Sequence, residues 1–280
     1  MFTRRDFSRL ALAALPAGRA AAASVIRGVA IGAQSYSFRD RSLEEAIQAM
    51  KQIGLSYCEL WQGHIEPAKL GREELRRWRL ETPLSVFEEV RRKFREAGIT
   101  LCAYSFSFRD DFTEEEIARG FQMARALGVS LITSSATLSA ARRADALAAK
   151  EKITVALHNH SVIRPNEFAR PEDFEQALSG ASRYSAINLD LGHFVAAGYD
   201  PLDYLEKHHA RIPIIHLKDR KKDQGPNLPF GEGDTPVGET LRLLARRRWK
   251  IYAMIEYEYK GADTVQEVRR CYEYCRKALA

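Results

Sequence analysis

Tyr184-Ser185-Ala186-Ile187-Asn188-Leu189-Asp190-Leu191-Gly192-His193 is the segment on which the fold of this chain turns. Residues 184–190 read as a buried strand, and an imidazole follows directly after Gly192. Side chains alternate faces along a strand, so Ile187 and Leu189 point toward covering helices while Asn188 and Asp190 point the other way. A polar pair facing the inside of a sheet or barrel costs free energy unless something satisfies it. Taken alone, the hexapeptide 188–193 reads equally well as a turn in which Asp190 caps a helix and His193 is a core residue. The endings of the other strands separate the two readings.

Outward from this segment, short β-branched runs alternate with amphipathic ones. Strands are expected near 29–35, 55–60, 99–105, 129–133, 152–158, 184–190, 211–217 and 250–256. Helical patterns follow each of them, at 43–53, 84–97, 114–127, 138–150, 171–179, 201–209, 236–247 and 263–279. Eight βα units in roughly 250 residues have the size and rhythm of a (β/α)8 TIM barrel. Gly54, Gly98 and Gly128 stand where C-caps would close three of the helices. A doubly wound open sheet is the competing architecture, but no Gly-x-Gly-x-x-Gly follows the first strand, so a dinucleotide site has no support.

The first segment is of another kind. Thr3-Arg4-Arg5-Asp6-Phe7, an apolar stretch from Leu10 to Leu15, Pro16, Gly18 and the run Ala20 to Ala23 form a twin-arginine export leader, too short for a permanent membrane anchor. The expected division is therefore a leader over 1–23 and one barrel domain over 24–280, with an address in the periplasm or outside the cell after twin-arginine export. Of the net charge of +6, Arg4, Arg5, Arg9 and Arg19 against Asp6 supply +3. The remaining +3 is scattered over helix-like segments such as 72–79 and 91–95, read as solvated faces, which argues against a nucleic-acid footprint. Cys58 and Cys102 fall in strands and Cys271 and Cys275 on the last helix; they read as small core residues rather than as disulfides or metal ligands.

In a barrel the chemistry gathers at the C-terminal rim of the strands. Strand five puts Ile153, Val155 and Leu157 outward and Thr154, Ala156, His158 and His160 inward; strand seven puts His216 and Lys218 inward; strand eight ends with Glu256 facing in. With Asp190 from strand six, four ligand-type side chains come from four consecutive strands, separated by 32, 26 and 40 residues. Two imidazoles and two carboxylates on a rigid rim suit one divalent cation of the Mn, Fe, Co or Zn type, Mg being the harder alternative, with positions open for substrate oxygens. Any one of these residues read singly is a satisfied buried polar group; four with matching parity are a metal site. Glu59 and Trp61 on strand two, with His64 just beyond, belong to the substrate pocket, although Glu59 equally fits a salt-bridged barrel residue. Tyr36, Phe38, Tyr104 and Phe106 are either core packing or a sugar-stacking wall.

These residues resemble the xylose-isomerase-like barrels, grouped with sugar phosphate isomerases/epimerases and more distantly with endonuclease IV. The resemblance spans about residues 29–280 and is carried by Cys58-Glu59-Leu60-Trp61, His158-Asn159-His160, Asn188 to His193, His216-Leu217-Lys218-Asp219, Gly231-Glu232-Gly233-Asp234 and Ile255-Glu256. It implies that Asp190, His216 and Glu256 are metal ligands and that His193 contacts substrate. His158 stands where many epimerases of the family carry a glutamate. Those members use two opposed carboxylates, each exchanging a proton with one face of a sugar carbon next to a carbonyl; only Glu256 remains of that pair here.

The function expected is thus a metal-dependent isomerase or epimerase acting on a sugar or keto-sugar through an enediolate. Glu256 would be the general base, and His160, His193 or Lys218 would handle oxygen protons. Substrate contacts are expected from Glu59, His64, His193 and Lys218. A keto-sugar lyase or hydratase on the same barrel, and a sugar-binding barrel without turnover, are the alternatives. The expected partner is a small carbohydrate, with neither nucleic acid nor a stable membrane anchor; the sequence does not address oligomeric state.

Overall fold

The computed structural model describes residues 24–280, so the leader expected over 1–23 lies outside the described residues. Eight parallel strands close into one barrel: β1 Val29–Gln34, β2 Tyr57–Trp61, β3 Thr100–Ser105, β4 Leu131–Ser134, β5 Thr154–His158, β6 Ser185–Asp190, β7 Ile214–Leu217 and β8 Tyr252–Ile255. Each pairs with its neighbours in chain order, and β8 and β2 flank β1 to complete the ring. The chain is a single (β/α)8 TIM barrel. No helix among the described residues is long and apolar enough to cross a membrane.

The helices form where the sequence supplies their ends. They are α1 Leu43–Ile53, α2 Arg72–Glu81, α3 Ser85–Glu96, α4 Glu114–Leu127, α5 Leu138–Glu151, α6 Pro171–Leu178, α7 Leu191–Ala196, α8 Pro201–His208, α9 Val237–Arg247 and α10 Thr264–Ala278. Ser42 with Glu45 and Thr113 with Glu116 make reciprocal capping boxes at α1 and α4, and Gly54 and Gly128 close those helices in the left-handed region, as expected. Every strand but the first begins one to three residues later than the sequence suggests, and at β5 and β7 the cause is visible. Lys152 takes a left-handed C-cap at the end of α5, and a 3-10 turn over His209–Arg211 precedes Pro213. The Pro lacks an N–H to give to a ladder.

Inside the barrel, Cys102, Leu131, Ala156, Ala186, Ile214 and Met254 pack into a dry layer. Gly32 completes it, since a Cβ there would come within 2.5 Å of the Tyr57 carbonyl and 2.8 Å of Met254 Sδ. Above this layer the inward side chains turn polar, and the site begins. All four cysteines are free and buried.

The basic segment 72–79 departs from expectation. It is an extra helix, α2, and Arg72, Arg76 and Arg79 turn inward onto the fully buried Glu116, with Arg72 Nη1 and Arg76 Nε each 2.9 Å from its oxygens. Burial would raise the pKa of Glu116, but the Arg72 and Arg76 hydrogen bonds prevail and bring it down to about 2. Because this lies below the ordinary value of 4.5, its contribution to stability is complete above about pH 4.5 and is lost as pH falls toward about 2. Glu116→Gln is expected to cost about 3 kcal/mol at neutral pH by leaving buried guanidinium charge uncompensated. The gap between urea melts of the two proteins should narrow as the pH is lowered toward about 3; an equal gap at both pH values would contradict this assignment.

Candidate metal centre at the barrel mouth

His158 closes β5, Asp190 closes β6, His216 sits within β7, and Glu256 follows the last residue of β8. Parallel pairing sets Asp190 opposite His216 and His158 opposite Asn188. All four side chains are buried, and one ligating atom from each lies within 4.8 Å of the others. Atoms held by one ion at about 2.0–2.2 Å lie within about 4.4 Å of one another, which is the scale of this cluster.

The strongest indication is which atoms lack an aligned hydrogen bond. His158 Nε2, Asp190 Oδ2, His216 Nδ1 and Glu256 Oε2 are all buried without an aligned hydrogen bond, the two carboxylate oxygens having Lys218 Nζ as an ion-pair neighbour. They approach one another, with His216 Nδ1 at 2.9 Å from Glu256 Oε2 and His158 Nε2 at 3.5 Å from Asp190 Oδ2, but in ion-pair contact rather than hydrogen-bond alignment. Buried polar atoms without partners are uncommon and call for an explanation. A divalent cation at the common centre would satisfy all four, so the residues present fit a metal.

The other atoms of these groups are committed, which fixes the orientation. Asp190 Oδ1 accepts from the His193 backbone N–H at 2.7 Å and so caps α7, while the Asn159 amide clamps the Asp190 backbone, accepting from its N at 2.9 Å and donating to its O at 3.1 Å. One carboxylate thus caps a helix through Oδ1 and still turns Oδ2 inward to the cluster. His216 Nε2 meets Glu59 Oε2 at 2.7 Å, and Thr133 donates to the other Glu59 oxygen. Glu59 is 0% exposed, which places it behind His216 and away from the pocket where a substrate contact was expected. That is the position of a carboxylate orienting a histidine ligand. His64 is also engaged elsewhere: its ring nitrogens lie 2.9 Å from Ser35 Oγ and 3.3 Å from the Phe38 carbonyl.

Lys218 lies among the carboxylates. Its Nζ is 3.0 Å from Asp190 Oδ2, 2.9 Å from Glu256 Oε2, 2.7 Å from Glu258 Oε2 and 3.0 Å from His193 Nε2. Burial opposes its charge, but Asp190, Glu256 and Glu258 outweigh burial and hold it cationic. Burial likewise disfavours charge on Glu256 and Asp190. Lys218 and His216 outweigh it at Glu256, and His193, Lys218 and His158 at Asp190, so both carboxylates stay ionised well below the usual range. His193 is pushed well below its ordinary pKa by burial and by the Lys218 and His158 charges, and its Nδ1 faces Arg220 Nη1 at 2.8 Å. His160 stands exposed at the edge, its ring centroid 5.1 Å from that of His158 and 5.6 Å from that of His193. Although the residue reaches solvent, the protein crowded around its imidazole disfavours the charged form, and with the His158 and Lys218 charges this lowers its pKa to about 4. A cleft of about 360 Å³ lined by Ser135, His160, Ser161, Val162 and His193 opens onto this group.

Sequence reasoning passed over Asn159, Glu258, Thr133 and Arg220. Glu258 was within reach, two residues beyond Glu256. Asn159 was not, because strand parity turns it away from the interior and its role is to clamp a neighbouring strand end. The expected motif 216–219 and the 231–234 loop meet through Asp219, whose carboxylate accepts from the backbone of Gly231, Gly233 and Thr235 at 2.8, 3.0 and 3.1 Å. A Cβ at Gly233 would overlap Asp219 Oδ1.

The family model described as xylose isomerase-like TIM barrel matches residues 47–277. The chain belongs to that family. Among solved structures it is similar to the probable 3-DHS dehydratase AsbF involved in petrobactin synthesis from Bacillus anthracis, at 16% identity and a TM-score of 0.68 over 87% of this chain and 97% of that one. It is similar to a sugar phosphate isomerase/epimerase from Parabacteroides distasonis, at 17% identity and a TM-score of 0.63 over 88% and 95%. It is also similar to an IOLI protein solved with a bound zinc atom, at 13% identity and a TM-score of 0.65 over 89% and 97%. At these identities the likeness concerns the fold. A search of characterised protein sequences finds no significant match.

Proposed function

We propose that this barrel is a divalent-metal-dependent isomerase or epimerase acting on a small sugar or keto-sugar through an enediolate. The observation that carries the proposal is the convergence of four buried ligand-type atoms from His158, Asp190, His216 and Glu256, none of them in an aligned hydrogen bond, at the catalytic end of a xylose-isomerase-like barrel. Two imidazoles among the four donors favour Mn, Fe, Co or Zn over Mg; the zinc in the IOLI structure agrees with a metal in this fold. When bound, the ion would polarise adjacent carbonyl and hydroxyl oxygens of a substrate.

The chain's own groups divide the remaining work. Glu256, held ionised by Lys218 and His216, takes the proton from the carbon beside the carbonyl. Lys218 Nζ and His193 Nε2, 3.0 Å apart, hold protons at the substrate oxygens, and the neutral His160 at the cleft edge exchanges them with solvent. Because His158 replaces the second carboxylate, one face of the carbon has a base and the other does not. This favours isomerisation over two-base epimerisation and supports elimination as the second reading: Glu256 removes the α-proton, the C–O bond at the β-carbon breaks, and the Lys218 side delivers a proton to the departing oxygen. The presence of a dehydratase on the same fold is compatible with it.

The test is a metal analysis of the purified protein, followed by incubation with keto-sugars, free sugars and sugar phosphates in deuterated water. Stoichiometric metal with deuterium appearing at the carbon beside the carbonyl supports the proposal; binding without exchange would leave a sugar-binding barrel. His158→Glu is expected to retain metal and to raise epimerisation relative to wild type, read from product stereochemistry; loss of metal would show that the imidazole is needed in the donor set. The same reading takes the twin-arginine leader to direct export. N-terminal sequencing of periplasmic material should begin close to Ser24, and an intact Met1 would rule export processing out.

A further inference from the structure

A second cleft at the barrel mouth takes no part in the metal cluster. It encloses about 440 Å³ between the segments that follow β2 and β3, with Trp61, Gln62, Arg72, Arg109, Asp111 and Phe112 in its wall. Arg109 also borders the cleft beside His160 and His193, so the two share a boundary. Both volumes fall in the roughly 300–1,000 Å³ range of small-molecule sites. Trp61 follows Glu59 on the same face of β2, about 7 Å further toward the rim, and Glu59 touches His216. The second cleft is therefore a neighbour of the reacting centre.

The indole of Trp61 is partly exposed and fixed in place. It lies on the backbone of Gly63, where a Cβ would come within 2.2 Å of Cζ2, 2.3 Å of Cη2 and 2.6 Å of Cε2. Tyr36 and His64 meet it edge-on with centroids at 5.0 and 5.5 Å, and His64 is pinned in turn by Ser35 and Phe38. Beside the indole runs a rigid row of planar polar groups. Glu66 accepts from Arg79 at 2.7 and 2.9 Å and from Gln62 Nε2 at 2.7 Å, while the Arg79 guanidinium rests 4.7 Å from the Phe112 ring centroid. Gln62 Oε1 is held by the Ser107 N–H at 2.8 Å.

A fixed, partly exposed indole with the exposed Arg109 guanidinium in the same wall offers a stacking surface and a donor to a pyranose, whose C–H face is apolar and whose hydroxyls radiate from its edge. We propose that this cleft is a second saccharide subsite, so that the substrate is a disaccharide or glycoside with its reacting ring at the metal cluster and its distal sugar on Trp61. The proposal rests on the reading of the cluster as a sugar-transforming centre. It also gives Gly63 a function: the glycine leaves room for the indole to lie flat.

The experiment is calorimetric binding of glucose, cellobiose, maltose, trehalose and p-nitrophenyl glucoside to the metal-loaded full chain and to its Trp61→Ala and Gly63→Ala variants, with metal content as the check on folding. At least one disaccharide should bind about tenfold more tightly than glucose, an aromatic-contact-sized effect, and the ratio should fall to near one in both variants. No preference for any disaccharide, including no detectable sugar binding, overturns the proposal. So does a preference that survives both substitutions, or one shown by the nitrophenyl glycoside alone. Deuterium exchange separates the two levels: exchange without a disaccharide preference removes the subsite only, and a preference that collapses in the variants without exchange removes the reaction but leaves the subsite.

Discussion

Glu256→Gln is expected to lower turnover by about 10² or more while weakening metal only modestly, since the amide keeps the size and one coordinating oxygen but cannot accept a proton. Two facts make the effect large. Glu256 is the one carboxylate of the four-residue cluster not committed to a helix cap, because Asp190 holds the α7 terminus. Lys218 and His216 also keep it ionised against its burial, so it is in the accepting form across the physiological range. Steady-state kinetics with metal content measured in parallel provide the check. Turnover that survives with metal bound would shift the base to His160, a neutral acceptor at the cleft.

The second large effect is expected away from the pocket. Glu59→Gln should lower metal affinity by about 10–100-fold, the usual loss when a carboxylate behind a histidine ligand is neutralised. Both Glu59 oxygens are engaged, one by His216 Nε2 and the other by Thr133, so the change acts on the ligand's orientation and basicity without reshaping the cleft. Competition with a chelator measures it. Unchanged metal affinity with weakened substrate would return Glu59 to the pocket role that its position on β2 first suggested.

That contrast shows what strand parity conveys and what it omits. Parity placed His158, Asp190, His216 and Glu256 inward, and it set the eight strands to within a few residues, because alternation and helix caps are local properties of the chain. It cannot tell which inward residue lies beneath another. Glu59 and His216 are 157 positions apart, and the barrel's closure and stagger decide that they touch. The buried ion cluster at Glu116 was hidden for the same reason: three arginines on one helix look solvated until the acid that gathers them is found on another. The second cleft belongs to the loops, where spacing gave no expectation beyond a pocket-facing Trp61.

The double commitment of Asp190 has a consequence for anyone remodelling this protein. One oxygen points to the cation centre and the other ties down the first turn carrying His193, so residues 190–193 behave as a single mechanical part. Altering the imidazole at 193 changes the substrate side and leaves that part standing. Altering the carboxylate at 190 releases the turn as well, so its kinetic cost sums two injuries. Residues downstream of Asp190 can therefore be redesigned without disturbing the four-residue cluster, whereas any change to the cluster through Asp190 also reshapes the turn that carries His193.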